Sequence, residues 1–460
     1  MTEPDQPDDV ALAYEEALDY LYAFINLEHK TLDRYHASKM DPDRPRRLLA
    51  QIGDPQHRYP TVHIAGTKGK GSVAAMCASA LRAAGLKVGL YTSPHLRDFR
   101  ERIRILTPAD AQGNIPKADM VRELAALRPH TEGFPGITWF EIVTAIAFSH
   151  FATQKVDIAV IEVGLGGRLD ATNVVLPLVS AITSLSLDHM SLLGDTLAEI
   201  AYEKGGIIKP GVPVVSAPQR EDALQVLRDI SAKRGSPLEV IGDRWRYKGS
   251  NQHLLVSASP HPGYVPAGTA FEIGLSGLHQ LENAMVAIAA LYPVQPQFPA
   301  VTLAAIQQGL AEVVWDGRLQ VISSGPDKPT LLVDSAHNAY SAAILAAALR
   351  DNYAYDKLWF VFGAPADKAI PEMMKQLFPL AEGVFLAAAD HPRAAAPEDL
   401  AEQARALGFE VETAESAAAA LTAAYEKAGP DDLICATGSI IFVGDLLNQW
   451  DRLQSPTLPF

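Results

Sequence analysis

Two rhythms of apolar residues alternate along this chain. Short runs rich in β-branched residues predict buried strands, and longer stretches with apolar positions every three to four residues predict amphipathic helices. A first helix is predicted over 10–27, with Tyr14, Leu18, Leu21, Tyr22 and Ile25 on one side, and a second over 44–52. Strands follow over 61–65, 87–91, 156–163, 178–184 and 212–217, with helices over 72–84, 138–153 and 221–233. Such alternation implies α/β architecture with a doubly wound, mostly parallel sheet and ligands beyond the carboxyl ends of its strands. The pattern breaks over 240–277, where R-W-R-Y, L-L-V-S-A-S and F-E-I-G-L-S are separated by Gly and Pro, as in a small antiparallel patch. Helices are predicted again over 281–291 and 301–314. From Trp315 the alternation restarts with L-Q-V-I-S-S, T-L-L-V-D, L-W-F-V-F-G, G-V-F-L-A-A-A, F-E-V-E and D-L-I-C-A-T-G-S. The expected organisation is therefore a larger domain over 1–314 and a smaller Rossmann-like α/β domain over 315–460.

Composition adds limits. A chain of 460 residues with 48% hydrophobic and 20% charged residues suits two or three globular domains. Cys77 and Cys435 lie in apolar runs and read as buried thiols of a reducing compartment. The acidic, Pro-containing start is unlike a secretory or transit peptide, and no run approaches the ~20 apolar residues of a membrane span. A cytoplasmic protein is the expectation. The net charge of −15 argues against a nucleic-acid surface, and anionic substrates would have to be drawn by local cations.

The strongest local signal is Y-P-T-V-H-I-A-G-T-K-G-K-G-S at 59–72. A strand, a loop punctuated by Gly66, Gly69 and Gly71, and a helix can cradle phosphate, because backbone N–H groups, the helix N-terminus and Lys70 all face an anion. The general G-x-x-x-x-G-K-[ST] pattern is only partly matched, since Ile64 and Gly71 stand at two of its positions. An ordinary Gly-rich turn with two solvated lysines is the competing reading.

Further motifs follow in order: Y-T-S-P-H-L at 91–96, T-W-F-E at 138–141, E-V-G-L-G-G-R-L-D-A-T-N at 162–173, L-D-H at 187–189, E-K-G-G-I-I-K-P-G at 203–211 and D-S-A-H-N at 334–338. With the 66–72 loop, they resemble the folylpolyglutamate synthase/dihydrofolate synthase family, a branch of the Mur ligase superfamily. The resemblance implies a P-loop ATPase domain followed by a glutamate-ligase domain. It implies an ATP-dependent ligase that adds L-glutamate to folates, and to dihydropteroate in bifunctional members, through an acyl phosphate. Expected partners are these small molecules alone, with neither nucleic acid nor membrane, and a monomer is expected.

Residue by residue, the resemblance places ATP on Gly66, Thr67, Gly69, Lys70, Gly71, Ser72, Asn283, Arg318 and Asp334. It places Mg²⁺, two ions in all, on Ser93, Glu162 and His189. Lys204 matches a lysine that is carbamylated in the family; the competing reading is an exposed lysine paired with Glu203. Phe140, Glu141, Leu169, Asp170 and Ala171 match pterin-binding positions, although Phe140 is also compatible with a helix core. His337 and Ser439 match positions near the incoming glutamate. Lys70, Lys204, His189 and Arg318 are the residues expected to carry the chemistry. Departures include Lys68 where many bacterial relatives have Asn, Asp316 before Gly317-Arg318, and Ser335 and Ala339 around A-H-N. Two alternatives stand beside this reading: a peptidoglycan Mur ligase, against which no separate domain is evident before the phosphate loop, and a nucleotide-binding switch.

Overall fold

The computed structural model describes residues 7–24, 41–188 and 190–454. The chain divides into two compact units. The first comprises residues up to His95, Arg100–Gly274 and His279–Val313; the second comprises Leu96–Phe99, Leu275–Leu278 and the chain from Val314.

In the first unit, strands β1 (Thr61–Ala65), β2 (Val88–Tyr91), β3 (Ile103–Leu106), β4 (Ile158–Glu162), β5 (Val179–Ile182), β6 (Val214–Ser216) and β7 (Leu238–Val240) form one sheet in the order β3-β2-β4-β1-β5-β6-β7. All neighbours are parallel except the β2–β3 pair. Strands β1, β2, β4 and β5 are buried along their whole length, as expected of a parallel sheet covered on both faces. β1 lies between β4 and β5, so the chain leaving β1 turns over the point where the order of strands reverses. The antiparallel patch is three strands, β8 (Arg246–Ser250), β9 (His253–Ala258) and β10 (Ala270–Glu272).

Strand β3 and the helices Lys117–Thr131 and Leu197–Gly205 were not among the predicted elements. The first helix, predicted to Leu27, is described over Pro7–Tyr22; Ile25 lies outside the described residues. The helix predicted over 138–153 is Trp139–Thr153, started by a reciprocal cap in which the Thr138 side chain accepts from the Glu141 N–H and the Glu141 carboxylate accepts from the Thr138 N–H.

The second unit contains β11 (Gln320–Gly325), β12 (Lys328–Val333), β13 (Leu358–Phe362), β14 (Gly383–Leu386), β15 (Glu412–Thr413) and β16 (Leu433–Thr437), in the order β11-β12-β16-β13-β14-β15. Only the β11–β12 pair is antiparallel. Alternation along the strands builds a core on each face. Leu332, Phe360, Phe362, Leu386 and Cys435 pack on one side; Leu331, Val333, Val361, Phe385 and Ile434 pack on the other. Cys77 and Cys435 are both buried free thiols, whose pKa values burial raises, to about 12 for Cys77. Among the described residues no helix is long and apolar enough to cross a membrane.

Candidate functional site

The loop after β1 is shaped by what lies against it. Gly66 has φ +151° and Gly69 has φ +86°; a Cβ on the first would lie 1.9 Å from Thr183 Oγ1, and one on the second 2.2 Å from Asn283 Oδ1. Both positions therefore require glycine. Thr67 and Lys68 donate their N–H groups to the Ser184 carbonyl at 3.0 and 3.1 Å. The Thr67 hydroxyl exchanges hydrogen bonds with Ser186, and Lys68 Nζ pairs with Asp188 at 2.9 Å. The segment after β5 thus braces the loop. That bracing was not foreseen in the sequence, although L-D-H marks its end. Gly69 caps the helix Lys70–Ala83 and Ser72 is buried, so the orphan N–H groups of the first turn stand beside Lys70. Asn283, on the helix Leu278–Leu291, is itself oriented by Gln280 at 2.9 Å.

Lys204 ends the helix Leu197–Gly205 and is buried; its Nζ donates to the Gly66 carbonyl at 2.9 Å. Desolvation, then the charge of Lys70, lowers its pKa to about 7. The reading of an exposed Lys204 paired with Glu203 is corrected by this placement. Glu203 instead pairs with Arg168 at 2.8 Å, while Lys204, about 100° further round the helix, reaches Gly66.

Glu162, at the end of β4, is buried. Its Oε2 accepts from the Ser93 N–H at 3.1 Å and its Oε1 lies 4.0 Å from Lys70 Nζ. Ser93, Glu162 and Lys70 are therefore one cluster at the carboxyl edge of β2, β4 and β1. Among the described residues no three His, Cys, Asp or Glu side chains cluster to hold a metal by themselves. Mg²⁺ does not require such a cage, since one or two carboxylates suffice where phosphate oxygens and waters complete the octahedron. A buried carboxylate beside the 66–72 loop fits that ion. His189 lies outside the described residues.

Phe140 lies over the loop that follows β4; a Cβ on Gly164 would lie 2.3 Å from Phe140 Cζ. Its ring is 6.0 Å from that of Tyr91, and it is only partly buried. The neighbouring Glu141 is differently occupied. Its carboxylate accepts from the Thr138 N–H at 2.8 Å and from Arg44 Nε at 3.0 Å, in a buried pair. Asp170 is buried and accepts from the N–H groups of Leu165 at 2.9 Å and Thr172 at 3.0 Å, so its carboxylate fastens the loop carrying Leu169 and Ala171. Burial raises its pKa, with those hydrogen bonds opposing. On the far side, Asn173 Nδ2 donates to the Arg168 carbonyl, and Lys209 Nζ donates to both Asn173 oxygens.

Within the second unit, Asp334 follows β12 and accepts from the N–H groups of Leu319 and Ala336 at 3.0 and 2.9 Å, drawing the Arg318–Leu319 segment to that strand end. Desolvation raises its pKa, opposed chiefly by Arg318. His337 Nδ1 is 3.0 Å from the Ser335 carbonyl and so carries the proton there. Ser439 is buried after β16, its Oγ accepting from the Phe442 N–H at 3.0 Å. Because β12 and β16 are parallel neighbours, Asp334, His337 and Ser439 leave the sheet at one edge.

This architecture is that of a Mur-type ligase. The Mur ligase middle domain family matches residues 118–291, and the family described as Mur ligase, glutamate ligase domain matches residues 317–440. Among curated proteins, the chain is 34% identical over 426 residues to the dihydrofolate synthase/folylpolyglutamate synthase of Bacillus subtilis, covering 88% of this chain and 93% of that one. It is 37% identical over 460 residues to the probable bifunctional folylpolyglutamate synthase/dihydropteroate synthase of Haloferax volcanii, covering 97% of this chain. Here the chain spans about half the length of its relative, 51%. A solved bifunctional folylpolyglutamate synthase/dihydrofolate synthase with Mn, AMPPNP and L-glutamate bound is similar with a TM-score of 0.78 and 27% identity, over 95% of this chain and 98% of that one. In that protein a nucleotide and a divalent metal are both held. The chain belongs to the folylpolyglutamate synthase/dihydrofolate synthase family.

Proposed function

We propose that this ligase uses ATP to join L-glutamate to a folate, and to dihydropteroate as a second acceptor, releasing ADP and phosphate through an acyl phosphate. The observation that carries the reading is the cluster of the 66–72 loop, Lys70, Glu162 and Ser93 at the switch point of the first sheet. In the first step the acceptor's carboxylate displaces ADP from the γ-phosphorus; in the second the amine of glutamate displaces phosphate. Both steps gather negative charge on oxygens, which Lys70 and the helix N-terminus offset. Glu162 and Ser93 would hold one Mg²⁺ and His189 a second; a bound ion supplies further positive charge to the phosphoryl oxygens. Phe140 offers a face for a flat heterocycle beside the backbone of Leu169 to Ala171, while the Glu141 and Asp170 carboxylates act by setting that wall in place. Arg318 and Asp334 are assigned to the nucleotide, and His337 and Ser439 to glutamate, on the resemblance of their motifs.

Lys204 is assigned a carbamate. The neutral amine adds CO₂ at Nζ and releases a proton to solvent, leaving a carbamate anion beside Lys70 where the protonated lysine would be a cation, and one N–H remains to donate to Gly66. A buried lysine whose pKa lies near 7 is neutral often enough to react.

ATP turnover with and without glutamate and each acceptor tests the proposal, with mass analysis of the products. Turnover should require both, and the product should be heavier than the acceptor by one glutamyl residue per cycle. Slow hydrolysis indifferent to glutamate would instead mark a nucleotide switch.

A further inference from the structure

His63 sits at the centre of β1, fully buried and outside the assignments above. Its Nε2 is 2.9 Å from the hydroxyl of Thr172, and that hydroxyl donates to Asp170 Oδ1 at 2.5 Å. A threonine hydroxyl has one hydrogen. Since it is given to the carboxylate, the hydroxyl must accept from His63, which fixes the Nε2–H tautomer. Nδ1 is then a lone pair, and it has no partner among the described residues. The ring stays neutral, because burial, followed by the charge of Lys209, lowers its pKa to about 3. The chain of hydrogen bonds continues from Asp170 to the N–H of Leu165. It thus runs from the central strand to the Gly-rich turn beneath Phe140.

We propose that His63 is a positioning residue for acceptor recognition, orienting the Thr172 hydroxyl so that Asp170 holds the loop of residues 165–171 in its binding form. The proposal rests on the reading of Phe140 and Leu169 to Ala171 as the acceptor's wall. Without the imidazole donor the hydroxyl is free to rotate away from Asp170. The carboxylate then loses one of three donors inside a buried site, and the turn at Leu165 loosens. The nucleotide loop keeps its own bracing from Ser184, Ser186 and Asn283. The effect should therefore fall on the acceptor and spare ATP.

The test uses the full chain in three variants. His63→Leu removes the donor, His63→Gln keeps an N–H donor that reaches the position of Nε2, and Thr172→Val breaks the chain at its next link. In His63→Leu, hydrogen exchange of the Leu165 amide should quicken by ~10-fold or more, and acceptor KM should rise ~5–10-fold with kcat and ATP KM within ~2-fold. His63→Gln should recover most of both effects. Thr172→Val should reproduce them, and His63→Leu with Thr172→Val should be no worse than either alone, because both cut one path. Should His63→Leu fail to fold, Thr172→Val against His63→Gln carries the comparison. Unchanged Leu165 exchange, or full additivity of the two variants, overturns the relay. Faster exchange with an unmoved acceptor KM, unmoved also in Leu169→Ala, supports the relay and overturns the acceptor reading of the loop.

Discussion

The Lys204 ammonium group donates to the carbonyl oxygen of Gly66 at 2.9 Å, joining the end of one helix to the first glycine of the 66–72 loop. Both partners are buried, and the pKa of Lys204 falls to about 7 from an ordinary value near 10.5. Between those two values the unfolded chain binds more protons than the folded one, so stability should rise with pH across that window. Below pH 7 the contribution is lost, because the buried amine must then carry charge. Urea unfolding of the wild type in CO₂-free buffer, where Lys204 is the unmodified amine, should show a slope of at most ~1.4 kcal/mol per pH unit from this group, and Lys204→Met should flatten it.

Carbamylation of the same lysine is read by rescue. Lys204→Ala should lose turnover, and acetate should restore part of it by returning a carboxylate to the vacated space. Wild-type enzyme stripped of CO₂ at mildly acid pH should weaken and recover with bicarbonate. Absence of a response to bicarbonate would leave Lys204 a plain brace for the loop.

Lys70→Ala should lower kcat by ~10²-fold or more, since in its proposed role the ammonium offsets oxygens that become most negative in the transition state. The folded state should be little affected: Lys70 is partly exposed and its approach to Glu162 is a long 4.0 Å. Matched thermal unfolding and single-turnover rates separate the two effects.

Gly69→Ala should weaken ADP binding by ~10–100-fold, because a Cβ both strains a residue at φ +86° and drives into Asn283. Combining it with Asn283→Ser should relieve the clash while leaving the strain. Calorimetric titration of the two variants should therefore show partial recovery of ADP affinity in the double variant.

Breaking the buried Arg44–Glu141 pair by Arg44→Met should cost the protein about 3–5 kcal/mol, since Glu141 is left charged and desolvated. Adding Glu141→Gln should return part of that loss, because glutamine still completes the cap with Thr138. Equilibrium unfolding of the single and double variants measures the difference.

The strands of the first sheet that meet the 66–72 loop are legible in the sequence because each is a short, fully buried apolar run; the run over 61–65 predicts the strand Thr61–Ala65 to the residue. The helix bearing Lys204 was not, since Leu197–Gly205 is short and mixed in composition. Its start was nonetheless written in T-L-A-E at 196–199, a reciprocal cap that the structure contains. D-A-T at 170–172 spells an Asx turn as well as a ligand position, and in the structure the Asp170 carboxylate makes that turn by accepting from the Thr172 N–H. Arg44 with Glu141 and Lys204 with Gly66 are 97 and 138 residues apart in sequence, and such pairings follow only from how the strands are ordered. β3 was missed because an edge strand buried at both ends and half-exposed between carries a weak apolar signal.

The wall that Asn283 raises against Gly69 has a consequence for how the enzyme is made. The two residues are more than two hundred positions apart. At a synthesis rate of ~5–20 residues per second, the ribosome therefore finishes the loop about 10–40 s before the helix that closes it. Throughout that interval the nascent chain carries a glycine turn lacking one side. On the proposed nucleotide role of the loop and Asn283, tight capture of ATP is expected only after the helix Leu278–Leu291 has been made, so that ATP would fasten a nearly complete first unit and not template an early one.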